Sequence, residues 1–188
     1  MSEPERSLPE EWSWHVVPRP DAAIHFLDSG GSRPPVVLLH GLAGHAGEWL
    51  GTMRHLLPRW RTITLDQRGH GRSTRAPRDL SREAFADDVA AVITVAAPDR
   101  PVVLVGQSMG AHAALVAAAR HPHLVERLVM IEGDIGGGDD NELTALREAL
   151  AAWPLPFPDY EHALAFFGGD TEAGRAWADG LERRADGL

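Results

Sequence analysis

The sequence predicts an α/β fold, a mostly parallel sheet flanked by helices, on three observations. Short apolar runs rich in Val, Ile and Leu alternate with longer helix-like segments over the first 135 residues. Those runs are continuous rather than alternating, as in strands buried on both faces. Gly, Pro and Asp punctuate the junctions between them, which is where turns need special backbone angles or local hydrogen bonds.

Taken in order, "SWHVVP" and "AAIHFLDSG" are two strands joined by a Pro-containing turn, an antiparallel start. "PPVVLLHG" (34–41) is a short buried strand, and "GHAGEWLGTMRHLLP" (44–58) has apolar residues at helical spacing and stops at Pro58. "RTITLD" (61–66) is the next strand, followed by an amphipathic helix over 81–97 with Ser81 as N-cap and Pro98 beyond its end. "PVVLVG" (101–106) is a third buried strand, "MGAHAALVAAARH" the helix behind it, and "VERLVMIEGD" (125–134) a fourth strand.

The pattern changes after Gly136. "GGGDDN" is a turn-rich linker, and the rest reads as three helical stretches near 141–152, 159–167 and 171–185. "WPLPFPDY" separates the first two, because each Pro interrupts a helix and restrains the residue before it. The chain is therefore expected to divide into a core over 1–135 and a helical segment over 136–188 lying across the sheet.

Composition narrows the function. A chain of 188 residues with 44 % hydrophobic residues builds one domain with a sizeable core. A net charge of −9 argues against nucleic acid or an anionic membrane as partner. With no cysteine, disulfides, thiolate metal sites and a cysteine nucleophile are excluded. The acidic start "MSEPERSLPEEW" lacks the apolar stretch of a signal peptide. No apolar run approaches the roughly 18 residues needed to cross a bilayer, so a cytoplasmic location is expected. No phosphate-binding loop, metal-ligand cluster or dinucleotide fingerprint is seen, so neither cofactor nor metal is expected.

Three motifs stand at the ends of successive strands: "HGLAGHAGEW" (40–49), "DQRGHGRS" (66–73) and "GQSMG" (106–110). Ser108 falls between two glycines directly after an apolar strand, the pattern of a nucleophile lifted on a sharp strand-to-helix turn. Large side chains have no room two residues either side, hence Gly106 and Gly110. At these spacings, from about residue 12 onward, the chain resembles the α/β-hydrolase superfamily, in its capped, serine-nucleophile, esterase- and lipase-like branch. The resemblance implies an α/β-hydrolase fold with a helical cap. It makes Ser108 the nucleophile, with the backbone N–H groups of Leu42 and Met109 forming the oxyanion hole. His40 shapes the oxyanion turn, and Asp66, Arg68 and Ser73 pin the neighbouring turn. His40, Gly41, Trp153 and Phe157 are candidates for the substrate pocket. The cap aromatics Trp153, Phe157, Tyr160, Phe166, Phe167 and Trp177 read first as the cap's own core and second as the lining of an acyl pocket.

A serine nucleophile needs a base, and the base needs an orienting acid. The superfamily places these after two strands that follow the cap, and neither strand is seen before "LERRADGL". The chain is thus expected to be the first part of such a fold, with the last strands missing and the 125–134 strand left as an open edge prone to self-association. Among the ten histidines, His45, His112, His121, His123 and His162 are each poorly placed as base. Glu132 matches the position some relatives use for the acid, with Asp134 second, and a polar strand end is the plainer reading of both. The expected function is a serine hydrolase acting on a small-molecule ester or similar acyl substrate. A non-catalytic binding protein of the same fold, or an inactive remnant, remain the alternatives.

Overall fold

The computed structural model describes residues 8–133 and 140–181. β1 (Ser13–Pro18) and β2 (Ala23–Asp28) form the antiparallel start. β2 also runs antiparallel to β4 (Arg61–Leu65), which lies parallel to β3 (Pro35–Leu39). β5 (Val102–Gln107) is parallel to β3 and to β6 (Val125–Ile131). The order across the sheet is β1-β2-β4-β3-β5-β6. This topology brings the C-terminal ends of β3, β4, β5 and β6 to one edge, where open α/β sheets present their binding crevices.

Helices cover both faces. On one side α2 (Arg82–Ala96) and α3 (Met109–Arg120) pack onto Val37, Leu39, Ile63, Leu65, Val102 and Leu104. The Ser81 hydroxyl caps α2 by accepting from Ala84 N–H at 3.2 Å, which meets one of the unpaired donors of a helix start. α2 buries Ala86, Val89, Ile93 and Ala96, at helical spacing. α3 buries Gly110, Ala111, Ala113, Ala114 and Ala117, a small-residue face that lets its backbone approach the sheet closely. On the other side α1 (Leu50–Leu56) sets Met53 against Leu27, Val36 and Leu38. The segment 44–58 is not one helix. Residues Ala46–Trp49 form a 3-10 turn started by His45, whose Nδ1 accepts from Gly47 N–H at 3.1 Å, and α1 begins only after it.

The C-terminal segment forms α4 (Asp140–Ala151), α5 (Tyr160–Phe166) and α6 (Glu172–Asp179). Phe157, Ala163, Leu164 and Ala178 make a small core of their own there, and α6 rests on the 3-10 turn. The expected boundary at 135/136 and residue Asp134 lie outside the described residues. β6 pairs with β5 alone among the described residues. Its Leu128 packs onto the α3-side core, while Val129 and Ile131 are 44 % and 40 % exposed.

Candidate active site

Ser108 sits between β5 and α3 with φ 50 and ψ −115, a backbone region that side chains rarely adopt. Such strain costs on the order of 1–3 kcal/mol and persists only where the surroundings enforce it. Here they do. Ser108 N–H donates to the Ile131 carbonyl of β6 at 2.9 Å, and the Ser108 carbonyl accepts from Ala111 N–H at 2.9 Å. A Cβ on Gly106 would overlap the Gly110 carbonyl, and one on Gly110 would lie 2.5 Å from the carbonyl oxygens of Leu39 and His40. Both glycines are needed because α3 turns back directly over the ends of β3 and β5.

The loop after β3 runs alongside. A Cβ on Gly41 would lie 3.4 Å from Ser108 Cβ, so this backbone passes the serine at contact distance. The next residues, Leu42 and Ala43, rise toward solvent, with Ala43 at φ 59. The N–H groups of Leu42 and Met109 have no hydrogen-bond acceptor among the described residues.

His40 lies beneath this loop, fully buried. Its Nε2 accepts from Gln67 N–H at 3.0 Å, and its Nδ1–H donates to the Gly41 carbonyl at 2.7 Å. Burial pushes its pKa down to about 3, so the ring is neutral. The neighbouring turn is pinned as expected. The Asp66 carboxylate accepts from Ala46 N–H at 2.7 Å and Arg72 N–H at 2.9 Å. Ser73 Oγ donates to the Asp66 carbonyl and accepts from His25 N–H at 2.9 Å. Arg68 forms a bidentate pair with Asp88 of α2, at 2.7 and 2.9 Å.

Between this platform and the helical segment lies a cavity of about 290 Å³, lined by Leu42, His70, Arg75, Leu150, Trp153 and Trp177 among others. Trp153 is thus on the cavity wall. Phe157 is not: it is 2 % exposed and fills the core beneath α5 and α6. His40 and Gly41, also expected at the pocket, are buried and do not line it. Tyr160 and Phe167 pack against the same helical core as Phe157, whereas Trp177 faces the cavity.

Glu132 follows β6 at φ 50, and its carboxylate accepts from Gln107 Nε2 at 3.2 Å. All ten histidines lie within the described residues, and none hydrogen-bonds Ser108 Oγ. His162 is paired with Asp159 at 2.7 Å and His121 with Asp87 at 2.9 Å. His45 donates from Nε2 to the Ala176 carbonyl of α6 at 2.7 Å. His70 accepts from Ala43 N–H at 3.3 Å and donates from Nδ1 to the Arg68 carbonyl at 3.0 Å. Its burial, reinforced by the charge of Arg75, lowers its pKa. The support given by His70 was legible only as one letter of "DQRGHGRS"; no signal in the sequence says that its ring bridges two turns.

A family profile for the alpha/beta hydrolase fold matches residues 34–179, spanning the elbow, both turns and most of the helical segment. The chain belongs to the α/β-hydrolase family. It is 36 % identical over 102 residues to the 2-(acetamidomethylene)succinate hydrolase of Mesorhizobium japonicum, covering 54 % of this chain and 36 % of that one. It is 33 % identical over 139 residues to the pimeloyl-[acyl-carrier protein] methyl ester esterase of Nitrosomonas europaea, covering 69 % and 52 %. The crystal structure of E-2-(acetamidomethylene)succinate hydrolase superposes with a TM-score of 0.83 at 27 % identity, covering 94 % of this chain and 67 % of that one. This α/β-hydrolase chain therefore spans between about a third and a half of the length of these curated relatives. Among its described residues no helix is long and apolar enough to cross a membrane.

Proposed function

We propose that Ser108 is the nucleophile of a hydrolase acting on an ester or similar acyl substrate. The observation that carries this reading is the strained Ser108 backbone beside two unoccupied N–H donors, those of Leu42 and Met109. Ser108 Oγ would attack the acyl carbonyl carbon, forming a C–O bond while the carbonyl π electrons move to oxygen. The two N–H groups would hold that oxyanion, each such donor supplying about 3 kcal/mol. Collapse breaks the bond to the leaving alkoxide, which takes up a proton. Water then attacks the acyl-serine, releasing the acid and restoring Ser108.

The proton on Ser108 Oγ needs a base, and the ten histidines are engaged or placed elsewhere. Glu132 stands beside the elbow as the candidate acid by position, with the Gln107 amide as its partner. The relatives' names share hydrolysis, of 2-(acetamidomethylene)succinate in one and of a methyl ester in the other. That shared chemistry supports an acyl substrate here without naming one.

A second reading is a ligand-binding protein or inactive remnant that keeps the elbow as scaffold. The absence of a histidine on Ser108 Oγ favours it. A fluorophosphonate probe separates the two. Labelling of the folded protein that disappears in Ser108→Ala supports the nucleophile; no labelling of folded wild type sinks it.

A further inference from the structure

One charged side chain lines the cavity among the described residues, and no carboxylate among them is paired with it. Arg75 is exposed, and its guanidinium makes no hydrogen bond or ion pair among the described residues. The other arginines of the same turn are engaged. Arg68 is bound to Asp88 and to the Asp79 carbonyl, and Arg72 lies over the Trp14 ring at 4.7 Å. The remaining side chains of the wall are Leu42, Ala43, Leu150, Trp153, Trp177 and Leu181, with the neutral imidazole of His70. Among the described residues no carboxylate lines it, in a chain with 27 acidic residues against 18 basic ones. A lone guanidinium at the rim of apolar walls offers a fork of donors matched to a carboxylate.

Resting on the reading of Ser108 as nucleophile, we infer that the cavity takes an acyl substrate bearing a carboxylate remote from its ester, and that Arg75 selects it. The apolar walls hold the methylene chain, and the guanidinium pairs with the far end. A neutral acyl chain would gain the same apolar contact but leave Arg75 to water. A cationic one would be repelled.

Binding tests this without requiring turnover. Trp153 and Trp177 line the cavity, so tryptophan fluorescence reads occupancy by monomethyl adipate and by the uncharged methyl hexanoate. Wild type is expected to bind the carboxylate ester about fivefold more tightly, the upper size of an exposed guanidinium–carboxylate pair. The preference should shrink with added salt, vanish in Arg75→Gln and survive in weakened form in Arg75→Lys. Equal affinity for the two esters in wild type, absence of binding by both, or a preference that persists in Arg75→Gln overturns the inference. Ser108→Ala must keep the preference. Failure of fluorophosphonate labelling with the preference intact removes the hydrolase reading alone, and labelling without the preference removes this one alone.

Discussion

His40 and Gln67 hold each other from both sides: Gln67 N–H donates to the His40 ring at 3.0 Å, and the Gln67 amide donates to the His40 carbonyl at 2.6 Å. The pair locks the end of β3 to the end of β4, and so sets the height of the loop that passes Ser108. Because the ring is buried and neutral, this lock is sensitive to acid. The folded pKa, about 3, lies below the ordinary value of 6.5. The unfolded chain therefore binds the extra proton first as pH falls. Stability from this group is intact above about pH 6.5 and is lost toward pH 3, at about 1.4 kcal/mol per pH unit. Urea unfolding at pH 7 and pH 4.5 checks it. His40→Ala should cost roughly 2–4 kcal/mol at pH 7, from the orphaned Gln67 N–H and the cavity left behind. The same variant should lose part of the acid dependence.

The elbow stores strain that a glycine would release. Ser108→Gly is expected to be more stable than Ser108→Ala by about 1–2 kcal/mol, since only alanine keeps a side chain at φ 50. Thermal unfolding of the two variants, neither of which can be labelled at residue 108, measures the difference. Equal stability would mean that the turn is relaxed.

The platform turn is fastened to α2 through Asp88, which is 1 % exposed and receives both Arg68 and Arg19. Asp88→Ala removes the bidentate carboxylate from the Arg68 guanidinium, 3 % exposed, leaving it the Asp79 carbonyl and the distant Asp21 carboxylate at 3.5 Å. The expected loss is roughly 3–5 kcal/mol. Replacing both, as Arg68→Met with Asp88→Leu, should cost clearly less, because no unpaired buried charge remains. Denaturant titration of the single and double variants decides it.

The edge of β6 gives a prediction about association. Val129 and Ile131 point away from α3 and stand exposed beside strand backbone that is unpaired among the described residues. We expect this 188-residue chain to self-associate through that edge with rising concentration. Val129→Lys with Ile131→Lys should shift sedimentation velocity profiles toward monomer. A monodisperse wild-type monomer across the concentration range would rule this out.

Much of the fold was readable because its signals are local. The continuous apolar runs at 35–39 and 102–107 could only be buried strands, and Gly106 and Gly110 announce the close crossing of α3. Asp66 and Ser73 read as turn anchors because short polar side chains in a glycine-rich turn bond nearby backbone, and Arg68 because a charged side chain there must find a partner. What escaped were relations between turns. Periodicity places Trp153 and Phe157 on helical ground, but which of them faces the cavity depends on where that ground lands. His70 and His45 look like surface histidines until β3 and β4 are set side by side and α6 is laid on top. Arg75 gains meaning only from a cavity wall whose described residues hold no carboxylate, a property of the assembled fold.

His45 has two jobs at once. One ring nitrogen begins the 3-10 turn through Gly47, and the other grips the Ala176 carbonyl of α6. A Cβ on Gly180 would lie 2.7 Å from the same ring, so α6 rests on it as well. The doorway and the bench on which the reaction would be carried out thus share one fastener. Lifting α6 to admit a bulkier guest pulls on the turn next to Leu42, so size tolerance and alignment are expected to be traded against each other at a single imidazole.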